Sequence, residues 1–554
     1  MEWWKSERFV KALLWAQLPV WGIGIVCLGG PVLLDVFGLL PPKSELVWYG
    51  IMSIFPIMLI SSILMITYQA LSENRKKVDY HGSAGFAASE EVADLVKSLA
   101  EPLATGSFAL APWSEQQRLE LPRNIVTRHV LVLGPSGAGK TRSFFIPNCA
   151  WTRGASFIAT DPKGELWTWT SGFHPNPRRY APREPESSEC LNWIPLCTDA
   201  HLTRLIARAV MESDGNSRAD PFWTYAETAF LAALFSHATT FDEPTPAAAY
   251  DFLTSHNAEQ LVKALLKSQS PVARQFANIF NQADAKLRGS IVIAVATRLI
   301  FLSDPRVRRF TSAVSSAPDF GALRQLPTAL YWVLQENDVT ALKPLSALFF
   351  TIMLHQLKEQ EPVVPVTLFL DELANIGQIP EFASEVTVAR GRDIALILGI
   401  QSLAQLEALY GRPNARTIID NAQTKIALAG LANDSAELIS RELGDTTIMI
   451  PRQSHTDGGG MAGQSSRTYS EIDSRRRLMT ADEVRRLKDE DLLIISTNRR
   501  PLLLQRFNYT AAPQTAISRQ LGEERTTVFT PSTEPTMELP PPLPELPDWS
   551  ELKN

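Results

Sequence analysis

Two long apolar stretches open the chain. Ala12–Leu34 and Leu46–Ser72 carry no formal charge, and either can cross a hydrocarbon core of about 30 Å, which takes ~20 helical residues. Trp3, Trp4, Trp15, Trp48 and Tyr49 stand near their ends, where amphipathic rings favour the membrane interface. Lys5, Arg8 and Lys11 precede the first stretch, Arg75, Lys76 and Lys77 follow the second, and the connecting Asp35–Glu45 has only Lys43 against two acids. The distribution of basic residues predicts a two-helix transmembrane anchor over 1–77, with both flanks in the cytoplasm and the short loop outside.

Beyond it the pattern changes to short apolar runs bounded by turn residues or charges. His129–Leu133, Ala155–Thr160, Thr328–Leu334, Val366–Leu370 and Ile394–Ile400 read as buried parallel strands. Each is followed by a segment of helical spacing, which predicts an α/β fold built from βαβ units. Nearly 170 residues separate the second run from the third. Within that gap Asp199–Asp319 is rich in Ala, Leu, Arg and Gln and nearly free of strand signal. The expectation is an α/β domain over 78–198 and 320–515, an inserted all-α domain over 199–319, and an acidic tail over 516–554. Seven prolines in Pro531–Pro547 make that tail extended or disordered.

Composition alters this picture little. With 45% hydrophobic and 20% charged residues the chain can bury a large core. The four cysteines are too scattered for a disulfide framework, and no His/Cys set beside them has zinc-ligand spacing. A net charge of −6 argues against binding nucleic acid by bulk positive charge. It leaves room for a local basic channel, since Leu521–Asn554 alone holds seven acids and two bases.

The sharpest chemical signal is Gly134-Pro135-Ser136-Gly137-Ala138-Gly139-Lys140-Thr141, directly after the His129–Leu133 strand. It fits G-x-x-x-x-G-K-[ST]. The glycines let backbone N–H groups point into the loop, and the following helix turns its positive end toward phosphate. Lys140 would reach the β- and γ-phosphates of ATP, and the Thr141 hydroxyl would ligate Mg²⁺. A second element, Val366-Thr-Leu-Phe-Leu-Asp371-Glu372, carries two carboxylates to the carboxyl edge of a parallel sheet. There Asp371 would hold Mg²⁺ and Glu372 would polarise the attacking water, the two tasks that transfer of a γ-phosphoryl group to water requires.

Gln401 stands one residue past the Ile394–Ile400 strand. It reads either as a sensor of the γ-phosphate or as a polar cap of the helix Ser402–Tyr410. Arg390 and Arg392 are candidates for the positive charge that a ring ATPase donates across a subunit boundary, Arg390 first. Their plainer reading is a solvated pair at a helix end. Arg204, Arg208, Arg218, Arg274, Lys286, Arg288, Arg298, Arg306, Arg308 and Arg309 suit either a phosphate-tracking channel or a solvated helix face. Ser454–Arg467, with Gly458–Gly460 and Gly463, reads as a flexible loop.

The order of these motifs resembles the type IV secretion coupling proteins, the TraG/TraD-like membrane ATPases of bacterial conjugation. The resemblance covers nearly all of residues 10–510. It rests also on Asp161-Pro-Lys-Gly-Glu165, Asn192-Trp-Ile-Pro-Leu196, Pro221-Phe-Trp223, Asp371-Glu-Leu-Ala-Asn-Ile-Gly-Gln-Ile-Pro380 and Leu478-Met-Thr-Ala-Asp-Glu483. It implies a RecA-like motor in a homohexameric ring at the bacterial inner membrane, with the helical domain at its cytoplasmic entrance. It also implies a receptor that brings relaxase-bound single-stranded DNA to the secretion channel, driven by ATP hydrolysis. Delivery of protein effectors without DNA, and a docking receptor that uses ATP only for assembly, are the alternatives. The resemblance assigns Asp161 and Lys163 no role, and nothing after Tyr509 matches.

Overall fold

In the computed structural model, residues 82–215, 221–313, 317–456 and 466–507 are described. The expected membrane anchor, the acidic tail and Gly458–Gly460 lie outside them. Among the described residues no helix is long and apolar enough to cross a membrane.

The strands in chain order are β1 Val96–Ser98, β2 Phe108–Ser114, β3 Gln117–Leu121, β4 Val130–Leu133, β5 Ser156–Asp161, β6 Pro177–Tyr180, β7 Ala329–Val333, β8 Val366–Leu370, β9 Ile394–Ile400, β10 Thr424–Leu428, β11 Asp445–Thr456, β12 Ser466–Arg477, β13 Asp491–Ser496 and β14 Leu502–Gln505. Nine of them form the central sheet, in the order β14-β13-β10-β4-β9-β8-β5-β7-β6. From β10 to β6 every neighbouring pair is parallel, whereas β13 runs antiparallel to both β10 and β14. The strands β4, β8 and β9 are buried along their whole length, because helices cover both faces. That is why they read as unbroken apolar runs rather than as alternation.

The five expected strands are all in this sheet, with ends that agree to within one residue. The others were not legible in the sequence. Of these β10 and β13 are short apolar segments that only their neighbours mark as strands, and β1-β3-β2 form a separate small sheet. One reading changes. Ser454 to Thr456 and Ser466 to Arg467 belong to the paired strands β11 and β12, registered from Asp445↔Arg477 to Thr456↔Ser466. The residues read as a loop are therefore strand at both ends.

Between β6 and β7 the described elements are helical. Side chains set where those helices begin: Asp199, Thr245, Asn257, Ser270 and Asp284 each accept a hydrogen bond from the backbone N–H three residues on. Such a cap contributes about 1 kcal/mol, and Pro246 and Pro271 in the first turn reinforce the start. The helix Ala200–Met211 packs on Val339–Glu359, and one continuous apolar core joins these helices to the sheet.

A buried histidine ties the strand before the phosphate loop to its surroundings. The N–H of Leu396 on β9 donates to His129 Nδ1 at 3.2 Å, while Nε2 lies 2.8 Å from the Val386 carbonyl. With Nδ1 accepting, Nε2 must carry the proton, so the ring is neutral and its tautomer fixed. Burial pushes its pKa down to about 4.

Candidate functional site

Strand β4 ends in the phosphate loop, and the chain turns at once into a π-helical turn, Thr141–Phe145, that runs on as the helix Ile146–Trp151. Gly137 and Gly139 take φ of +78° and +89°, a left-handed region that a side chain disfavours. Lys140 is buried, its ammonium donating to the Gly134 and Pro135 carbonyls at 2.7 and 3.2 Å. Burial lowers the Lys140 pKa, against the opposing pull of the Asp371 and Glu372 carboxylates.

Two strands over, β8 delivers Asp371 and Glu372 to the same edge of the sheet. The Thr141 hydroxyl donates to Asp371 Oδ2 at 2.5 Å. Asp371 is buried, and the loss of solvent raises its pKa to about 6. The backbone of Glu372 is left-handed at φ +60°, uncommon for a residue with a side chain and a feature that clusters at functional sites. Its carboxylate accepts from Asn375 Nδ2 at 2.6 Å. Among the described residues no group of three or more His, Cys, Asp or Glu is placed to hold a metal ion. A cation between Thr141 and Asp371 would therefore draw its other ligands from phosphate oxygens and water, the usual surroundings of Mg²⁺.

Strand β5, beside β8, brings in Asp161. Its Oδ2 accepts from the Trp167 backbone N–H at 2.8 Å, capping the helix Glu165–Thr170. Burial raises its pKa to about 6. The neighbouring Thr160 hydroxyl donates to the Asp371 carbonyl at 2.9 Å. Lys163 faces the cleft and pairs with Glu336 at 3.4 Å, both more than half exposed.

The remaining candidates separate. Gln401 stands at the end of β9 beside the loop, since the Gly134 N–H donates to the Ile400 carbonyl at 3.2 Å. Its side-chain oxygen accepts from Gln405 at 3.4 Å. Arg390 and Arg392 occupy the exposed turn before β9, at the opposite edge of the sheet. Seven residues of strand separate that turn from Gln401, roughly 20 Å at 3.3 Å per residue. Two buried or half-buried guanidiniums hold this turn: Arg324 donates to the carbonyls of Arg392 and Asp393 at 2.5 and 3.2 Å, and Arg123 pairs with Asp393 at 2.8 Å. In the helical region Arg208, Arg298, Arg308 and Arg309 are in ion pairs, with Glu212 and Glu381, Asp214, Asp251 and Glu186 respectively. Arg218 lies outside the described residues.

A cleft of about 550 Å³ opens above the loop. Besides the expected residues it is lined by Arg506, Phe507 and Glu490. Arg506 donates to the Ala138 carbonyl across 368 positions, a separation at which no local pattern could have announced it.

This arrangement brings a glycine-rich loop, a buried lysine, a hydroxyl and two carboxylates to one cleft, set in a chain whose sequence matches one family along most of its length. The profile described as "Type IV secretory system Conjugative DNA transfer" matches residues 96–529. The chain belongs to that family. Among relatives, Protein VirD4 of Rhizobium radiobacter is 25% identical over 404 residues, which cover 69% of this chain and 57% of VirD4. Conjugal transfer protein TraG of Escherichia coli is 25% identical over 474 residues, covering 75% of this chain and 72% of TraG. The chain thus spans just over half of VirD4.

Solved structures agree on the fold of this family member. The bacterial conjugative coupling protein TrwBdeltaN70, in an unbound form, matches with a TM-score of 0.59 at 17% identity, over 78% of this chain and 96% of that one. The plasmid coupling protein TrwB in complex with ADP and Mg²⁺ matches equally, at 0.59 and 17%, over 77% and 96%. The shared fold is the mixed α/β one with the large, mainly parallel sheet.

Proposed function

We propose that the chain is the ATP-hydrolysing coupling protein of a conjugative type IV secretion system, acting as a homohexamer on the bacterial inner membrane. It recruits relaxase-bound single-stranded DNA and drives it toward the secretion channel. The observation that carries the reading is the meeting of Lys140 and Thr141 with Asp371 and Glu372 at one sheet edge, in a member of the conjugative transfer family. TrwB, whose fold it shares, has been captured with ADP and Mg²⁺, and the residues present here suit the same pair.

In this reading 78–198 and 320–515 form a RecA-like motor, 199–319 an all-α domain, and 516–554 a partner-binding arm. The two apolar stretches within 1–77 anchor it. Bound Mg²⁺ supplies positive charge that neutralises the phosphates, held by Thr141 and Asp371. The loop N–H groups and Lys140 grip the phosphate chain. Glu372, steadied by Asn375, orients the attacking water. Gln401 registers the departure of phosphate. Arg390 and Arg392 lie at the wrong edge to serve their own loop, so one of them acts on the neighbouring subunit, completing the charge neutralisation that phosphoryl transfer needs.

Protein effectors as sole cargo remain a second reading, favoured by the ion pairing of Arg208, Arg298, Arg308 and Arg309, which leaves less positive charge for DNA phosphates. The test is ATP turnover by the detergent-solubilised full chain, with and without single-stranded DNA, beside Lys140→Ala. Turnover raised by DNA and lost in the variant supports the coupling motor. Turnover indifferent to DNA but raised by a secreted protein favours the effector reading. No Lys140-dependent turnover leaves only the docking receptor.

A further inference from the structure

The central sheet has a direction across it as well as along it. Asp371 and Glu372 directly follow strand β8 and Asp161 ends β5, to one side of the phosphate loop; β10, β13 and β14 lie on the other side. A nucleotide whose γ-phosphate is aimed at Asp371 and Glu372 has its nucleoside end over β10 to β14. At that end β14 delivers two residues to the rim of the cleft. Arg506 extends over the loop, where its Nη1 donates to the Ala138 carbonyl, and its backbone N–H is anchored on the Glu490 carbonyl at 2.9 Å. A Cβ at Gly139 would lie 2.1 Å from Arg506 Nη1, so this glycine makes room for the guanidinium as well as for the turn. Phe507 lies edge-on to Trp151, with ring centroids 5.4 Å apart. Trp151 ends the helix that the phosphate loop starts, so both side walls of this end are tied to the loop.

We propose that Arg506 and Phe507 form the nucleoside subsite of the cleft, with the Arg506 guanidinium covering the face of the base and Phe507 closing the apolar side. A planar, weakly hydrated cation stacks on aromatic faces in a way that a lysine ammonium does not. The inference rests on the nucleotide reading above and adds to it the part of the site that recognises the nucleoside rather than the phosphate chain. Affinity for the nucleoside then resides in a strand end about 370 positions from the phosphate loop, immediately before the segment 508–554.

The experiment measures equilibrium binding of ADP and of inorganic tripolyphosphate to the full chain in detergent, for wild type, Arg506→Ala, Arg506→Lys and Phe507→Leu. The expected result is about a tenfold weaker ADP complex for Arg506→Ala, the scale of one lost stacking contact. Arg506→Lys should restore little, and Phe507→Leu should weaken ADP a fewfold. Tripolyphosphate should bind all four alike, which also shows that the loop is intact. ATP turnover should show a raised KM with kcat within about twofold. ADP affinity unchanged in Arg506→Ala overturns the proposal, and so does a parallel loss of tripolyphosphate, which would make Arg506 a prop of the phosphate loop. A wild type that binds ADP without turning over ATP defeats the hydrolysis reading alone, and the ADP affinities still decide this one.

Discussion

Thr141 and Asp371, 230 positions apart, meet through a hydrogen bond of 2.5 Å between the hydroxyl and carboxylate Oδ2. Each comes from the carboxyl end of a strand in the same sheet, one from the phosphate loop and one from β8. Their contact brings two separate sequence motifs together at the place proposed for the cation, and its consequences are measurable.

Because burial raises the Asp371 pKa to about 6, its ionised form, the one that would bind Mg²⁺ in the proposed site, dominates above that pH and is lost below it. Mg²⁺-dependent nucleotide affinity should fall about tenfold per pH unit once the pH is below 6. Asp371→Asn should be weak throughout and flat across that range. Titrations with Mg²⁺ from pH 5 to 8 check this, and an acid limb that survives in the variant would move the titrating group elsewhere.

Glu372→Gln should keep nucleotide binding and lose kcat by about 10²–10⁴, the usual worth of a positioned base. Asn375→Ala, which frees the Glu372 carboxylate from its 2.6 Å partner, should lower kcat less and leave ADP affinity unchanged. Turnover near the wild-type rate in Glu372→Gln would remove it from the catalytic set.

Neither Arg390→Ala nor Glu372→Gln homomers should turn over ATP well. Mixing them should recover part of the activity, since some boundaries then pair an intact loop with an intact arginine. The same experiment with Arg392→Ala assigns the donor. If neither mixture recovers, the turn before β9 does not act across the boundary.

His129 predicts a pH effect on stability. Its folded pKa of about 4 is below the free value of ~6.5, so its contribution is present above pH 6.5 and is lost as the pH falls toward 4. Between pH 7 and 5 that loss is about 2 kcal/mol. Asp161 and Asp371, with pKa values raised to about 6, act in the opposite sense, so the readout is the difference between variant and wild type. His129→Gln should be less stable at pH 7 and should lose about 2 kcal/mol less than wild type on going to pH 5, as urea denaturation would measure. Equal losses would mean that His129 is charged or exposed in the native state.

Much of the candidate site was legible because its parts are local. A phosphate loop needs glycines, a lysine and a hydroxyl at fixed spacing within eight residues, and an acid pair after an apolar strand is equally compact. The α/β class followed from strands buried on both faces, which cannot alternate polar with apolar. Strands β10, β13 and β14 escaped notice since a five-residue apolar segment takes its identity from the neighbours that pair with it. The hairpin β11–β12 was hidden by its polar composition, which masks a ladder whose stability comes from cross-strand pairing.

By itself, then, the sequence determined the phosphate loop, the acid pair that follows β8, the parallel strands between them and the two apolar stretches ahead of them. All of these are encoded over a few to a few tens of adjacent residues, where side-chain chemistry and backbone preference act directly. Only the tertiary structure decided that Thr141 touches Asp371, that Arg390 and Arg392 stand at the opposite end of β9 from their own loop, and that Arg506 lies over Gly139. Those relations depend on strand order and on which end of each strand a residue occupies. Strand order is set by burial and pairing summed over the whole sheet, and no single stretch of chain carries that sum.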